Sequence, residues 1–441
     1  MWHRERMNRR QFLRHYGIAS SAITFSPFFI ERFARICQAA QSLVRVYKVK
    51  NGDCFQNIAQ LWEMLDGPAK YIGPNDIVVI KGNAQWPNQG YTHTGCIKGV
   101  IDAILAIPRF AGEVLICDNV QAYGVSGAIG FDATPDNRNC NWPDQNWDSL
   151  AASYSALGQP VGTVRWTNDP NWRTPPGSLP CFSQWNPANG NGWSRYFLSY
   201  NGTPTYLSSA VFQSPLTPGR MIDVRNGVWE NGQYTGRQVK VITMPTLNNH
   251  GTGSNEDCGV SSAIKSFFGA TEIPGGVTGT MDNGAYYTIH SAGGDPIDPE
   301  EVGELVGTYI NNMFAPRLYI TCAIWSGWYD RTTTATETDT VLACANPVTL
   351  DYVSARDVIS PYASWLDPDQ NTPTRQQILA CNDMGIGTID PTQFEVITYD
   401  FNNPTASRLD VERKIRDFKA GIASETDVKN TIELYMESNG D

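Results

Sequence analysis

LVRVYKVKNGDCFQNIAQLWEMLDGPAKYIGPNDIVVIK, residues 43–81, decides the fold. Leu43–Val49 is β-branched and partly alternating, as in a strand. Asp53 with Gln56 three residues on has the form of a capping box, and Phe55, Ile58, Leu61, Trp62 and Leu65 then mark one helical face. Asp76–Lys81 (DIVVIK) is a short continuous apolar run of the kind buried inside a parallel sheet. Strand, helix, strand in that order makes a βαβ unit, whose crossover is right-handed.

The pattern continues on both sides of an interruption. Thr94 can cap a helix striped by Ile97, Val100, Ile101 and Ile104 and stopped by Pro108, and VLIC (Val114–Cys117) is a third strand. From Asn119 to about Arg237 the chain is crowded with Asn, Gly, Pro and Trp, as in NCNWPDQNWDS and WNPANGNGW. It reads as a large irregular insert with one short helical stretch near Ser149–Leu157. Strands then return at Lys240–Met244, Arg317–Trp325, Val341–Ala345 and Phe394–Thr398, with helices at Pro299–Phe314, after Asn346–Pro347, and at Gln376–Met384. The charged tail within 406–441 reads as an exposed helix or helical hairpin. The expected fold is α/β, a mostly parallel sheet with helices on both faces, spanning residues 41–405.

Residues 1–40 carry a different kind of information. Arg9 and Arg10 stand side by side, followed by Phe12 and Leu13 and a mild apolar run from Tyr16 to Ile30. This is the form of a twin-arginine signal peptide, read by the export machinery that carries folded proteins. It implies a periplasmic or extracellular destination, with the signal either cleaved or retained as an anchor. Without residues 1–40 the chain holds 26 basic and 42 acidic residues, a net charge of −16 against −11 for the whole. So acidic a protein does not grip nucleic acid through general electrostatics, and the mature chain has no apolar run of membrane-spanning length. Nine of the ten cysteines lie outside the signal, an odd number, so at least one thiol is free, ligated or bonded to another molecule.

In a parallel sheet, ligands bind beyond the carboxyl ends of the strands, and the chemistry-bearing residues cluster in the strand-to-helix turns. KGNAQWPNQGYTHTGC brings Lys81, Asn83, His93 and Cys96; PTLNNHGTGSNEDCG brings His250 and Cys258, with Lys265 on the next helix; CANPVTLD brings Asn346 and Asp351. His93, His250, Cys96 and Cys258 together have the donor chemistry of a metal site. A Cys–His pair also suits an activated thiol, and a disulfide between the two turns is equally open. The spacings match no standard zinc run, and no ferredoxin-type C-x-x-C-x-x-C occurs. His250, Lys81 and Lys265 are the candidate catalytic groups, with Asn83, His93, Asn346 and Asp351 as ligand contacts. Each has an ordinary alternative: a capped helix end for His93, a salt-bridged lysine for Lys265, a carboxylate held by a helix dipole for Asp351. Cys117 and Cys322 lie in apolar strands and read as small hydrophobes. Cys140 and Cys181, both in the insert, are the first choice for a disulfide.

IVVIKGN, PTLNNHG with SSAIKSFFG, and VLACANPVTLDYVSAR resemble the three successive signatures of the domain of unknown function 362 family, over roughly Leu43–Thr398. Those signatures are an IKPN strand end, a PKLKTH turn before a helix with LKN and G, and a DPVALD turn. Lys81, Asn83, His250, Lys265, Pro347 and Asp351 match. Gly82 replaces the proline, Asn248 and Asn249 stand around the Lys-Thr positions, Ser266 replaces Asn and Asn346 replaces Asp. The resemblance implies an α/β fold and often an export signal. Many relatives add a ferredoxin-like module that has no counterpart here. The expectation is an exported enzyme or metal-dependent redox-linked protein acting on a small anionic substrate where Lys81, His93, His250 and Lys265 gather. The competing expectation is a non-catalytic envelope protein that binds a glycan or a partner through the Trp-rich insert.

Overall fold

The computed structural model describes residues 43–84, 86, 90–119, 130–133, 145–167, 192–249, 259–267, 298–328, 335–403 and 408–439. Their centre is a nine-stranded sheet. Eight strands run in the order β14 (Phe394–Asp400), β1 (Val44–Lys50), β13 (Thr336–Cys344), β12 (Leu318–Gly327), β10 (Val239–Thr243), β2 (Ile77–Lys81), β3 (Glu113–Asn119), β4 (Val161–Thr167), and β11 (Thr246–Asn248) pairs with β12. All pairings are parallel except those of β13, which runs against both β1 and β12. The mostly parallel α/β sheet is therefore present, with one strand reversed.

Alternate residues along the strands feed opposite faces, as the pleat requires. Val78, Ile80, Ile320 and Val341 pack with helices α1 (Cys54–Met64), α2 (Thr94–Leu105) and α3 (Trp147–Ala156). Tyr319, Ala323 and Leu342 pack on the other face with α4 (Pro299–Asn312), α5 (Pro347–Ser354) and α6 (Pro373–Asp383). Asp53 closes α1 with the expected capping box. Asn346 caps α5 with Pro347 in its first turn, because an Asx side chain and a fixed φ both suit a helix start.

The irregular insert expected over 119–237 is corrected wherever those residues are described. The stretch contributes α3, the edge strand β4 and a separate antiparallel sheet: β5 (Gly192–Tyr200), β6 (Thr203–Gln213), β7 (Met221–Asp223), β8 (Gly227–Glu230) and β9 (Gln233–Tyr234). This second sheet packs Trp193, Phe212 and Ile222 against Ile77, Val79 and Leu115 of the main one. Two Asn-Gly turns join its strands, Asn201–Gly202 and Asn231–Gly232, all four residues at positive φ. Asn-Gly between two runs is a strong hairpin signal, and counting it would have found both hairpins.

The tail forms a helical hairpin, α7 (Arg408–Lys419) and α8 (Glu425–Asn439). It buries Val411, Ile415, Val428 and Ile432 and docks Arg413 on Glu63 and Arg416 on Asp66, so it packs on the domain rather than standing free. No helix among the described residues is long and apolar enough to cross a membrane.

Candidate functional site

The carboxyl ends of every main-sheet strand but β13 lie at one edge. There β2 continues through α2 to β3 on one side, whereas its neighbour β10 leads to β12 on the other. Lys81 and Thr243, paired across β2 and β10, mark this reversal. Open parallel sheets bind ligands at such a switch point.

The residues there are polar and buried. Lys81 ends an apolar strand and forms an ion pair with Asp118 at 3.2 Å, both side chains 5% exposed. Asp118 uses its second oxygen to accept from the Ala84 amide at 2.8 Å. The ammonium has three protons, and Asp118 is its only described ionic partner. The hydroxyl of Thr243, its neighbour across the strands, and that of Thr246, three residues on, are buried with no hydrogen-bond partner among the described residues.

Thr92 closes the gap between the two strands. Its hydroxyl donates to the Met244 carbonyl at 2.6 Å and accepts from the Asn83 amide at 2.9 Å. The Asn83 side chain reaches the Thr246 amide at 3.4 Å. Gly82, where the resemblance has proline, is required by packing: a Cβ there would stand 2.5 Å from the Trp147 ring.

His93, and not the expected Thr94, is the cap residue of α2, its Nδ1 accepting from the Gly95 amide at 3.1 Å. Burial holds its pKa down at about 4. Cys96, one turn on, is fully buried in the core cluster that also holds Cys54 and Cys322. Burial and these neighbours raise its pKa, so the thiol stays protonated. One nitrogen of His93 is thus committed to the cap, and Cys96 to the core. The disulfide considered for Cys96 is not formed, since its thiol is free. Among the described residues no group of three or more His, Cys, Asp or Glu is arranged to hold a metal ion.

No family model, curated protein or solved structure matches this chain.

The other candidate residues separate from this edge. Asp351 is fully buried on the face of α4–α6, where its carboxylate accepts from the amides of Ala263 at 2.6 Å and Ile264 at 2.9 Å. Burial lifts it to about 7, against the lowering effect of those amides, Ser262 and Lys265. Lys265 lies in the same packed segment, 8% exposed, and donates to the Gly259 carbonyl at 3.4 Å. Lys265 and Asp351 thus share one face, and α2 with His93 lies on the other.

Asn346 is placed at the opposite edge of the sheet, because β13 runs backwards and its carboxyl end meets the amino ends of its neighbours. Its side chain is spent on the Thr349 amide and the Ile386 carbonyl. The expected gathering of all these turns at one edge fails for that reason.

Arg9, Arg10, Phe12, Leu13, Cys140, Cys181, His250 and Cys258 lie outside the described residues. Of the described tryptophans of the Trp-rich stretch, Trp147, Trp166 and Trp193 are 0%, 3% and 0% exposed and serve the core, whereas Trp229 on β8 is only partly buried. The reading of the sequence missed Asp118, Thr243 and Thr246. For Asp118 and Thr243 the signal was a polar residue at the end of an apolar strand, the same signal that marked Lys81; Thr246, which opens β11, had none.

Proposed function

We propose that this chain is an exported α/β protein, related to the domain of unknown function 362 family, that takes a small carboxylate- or phosphate-bearing substrate at the switch point between β2 and β10. One observation carries the reading. The buried ammonium of Lys81 has a single described ionic partner, and the hydroxyls of Thr243, its cross-strand neighbour, and of Thr246, whose amide meets the Asn83 side chain, have no partner among the described residues. An unpartnered buried polar group costs about 1–3 kcal/mol, and a buried charge costs more unless it is fully bonded. Asp118 is already occupied by Lys81 and the Ala84 amide, so the groups left over are chiefly donors, which suits ligand oxygens.

Calorimetric titration with inorganic phosphate, malonate and succinate tests the site. The expected result is saturable binding of at least one, weakened at least tenfold in Lys81→Met. No saturable binding of any of them removes the reading. Export is tested separately: Arg9→Lys with Arg10→Lys is expected to leave folded protein in the cytoplasm, and undiminished export of that double variant overturns the twin-arginine assignment.

A further inference from the structure

His93 has a feature that its cap does not explain. Ser, Thr, Asp or Asn would serve at that position, and each is preferred there. Histidine differs in carrying a second nitrogen beyond the one that caps. Because Nδ1 accepts from the Gly95 amide, the neutral ring holds its proton on Nε2. No described residue accepts from that Nε2–H.

The backbone that carries the ring is also anchored. Thr92, the preceding residue, is tied to Asn83 at the end of β2 and to Met244 just beyond β10. His93 is 6% exposed, and Thr243 and Thr246, which flank the same tie, are 1% and 2% exposed with unpartnered hydroxyls. A helix N-terminus carries positive partial charge, which disfavours an imidazolium and favours an oxygen ligand.

We propose that His93 is an uncharged, pre-oriented hydrogen-bond donor, its Nε2–H directed to a carboxylate or phosphoryl oxygen of the ligand that Lys81 neutralises. The inference rests on the reading of the switch point as the ligand site. Lys81 supplies charge, and His93 supplies direction without a second charge to desolvate. A neutral imidazole at a helix N-terminus can also polarise a carbonyl without transferring its proton.

The test separates cap from donor. His93→Asn keeps a favoured cap residue and removes the distal N–H. The variant is expected to melt close to the wild type and to bind malonate or inorganic phosphate about tenfold or more weakly. In the wild type, nitrogen NMR is expected to show the His93 proton on Nε2 at pH 7, and its resonance to shift as the probe saturates. If the wild type binds neither probe, the switch-point reading falls and this inference with it. If the wild type binds and His93→Asn binds equally well, the role of His93 is overturned while the site stands. Should the variant not fold, an Nε2 resonance unmoved at saturation overturns it independently.

Discussion

Lys81 Nζ and Asp118 Oδ1 stand 3.2 Å apart, with both side chains 5% exposed, at the ends of adjacent parallel strands. Removing one partner strands the other charge in a dry site, which costs about 3–5 kcal/mol. Lys81→Met and Asp118→Asn are each expected to lose stability of that order in urea unfolding. The double variant Lys81→Met/Asp118→Leu should recover most of it, because no charge is then left buried. Single-variant losses below about 1 kcal/mol would mean that the pair is screened like a surface one.

Thr243→Val should behave in the opposite way. The hydroxyl is buried without a partner, so an apolar isostere removes a desolvated group and leaves the shape intact. Stability is expected to stay level or to rise by about 1 kcal/mol. Affinity for the malonate or phosphate probe is expected to fall in the same protein. A clear loss of stability would show that the hydroxyl serves the fold.

His93 and Asp351 pull the pH dependence of stability in opposite directions. Burial lowers His93 from 6.5 to about 4, so between those values the unfolded chain binds more protons and stability rises with pH. Burial raises Asp351 from 3.8 to about 7, so over that range the folded chain binds more protons and stability falls as pH rises. Each slope is at most about 1.4 kcal/mol per pH unit, and the two offset where they overlap. Asp351→Asn should expose the His93 slope, with stability rising from pH 4 to 6.5. His93→Asn should expose the Asp351 slope, with stability falling from pH 4 to 7. Denaturant midpoints across pH measure both. Identical profiles in the wild type and the two variants would contradict these buried environments.

Six of the ten cysteines are described. Cys54, Cys96, Cys117, Cys322, Cys344 and Cys381 are buried free thiols, and burial raises Cys54 and Cys344 to about 12. The thiolate is the reactive form, so native protein at neutral pH is expected to leave all six unlabelled by iodoacetamide. All six should react once unfolded without reductant. Mass mapping of that sample also tests the proposed Cys140–Cys181 bridge, since label on both residues would remove it.

The sequence by itself determined much of the local structure outside the 119–237 stretch. The apolar runs in LVRVYKV, DIVVIK and VLIC, the Asp53 capping box and the Asn346–Pro347 helix start were legible because each is set by neighbours within a few residues. Lys81 was legible as a site residue for the same reason, a lone charge closing an apolar strand. The tertiary structure alone decided what stands beside it. Strand order placed Thr243 and Asp118 next to Lys81, and the reversal of β13 sent Asn346 to the far edge. The cap of α2 took up one nitrogen of His93, and the core took up Cys96. Side-chain periodicity encodes which face of an element is buried. Which elements become neighbours, and in which direction each runs, depends on how distant faces pack, and no local pattern carries that information.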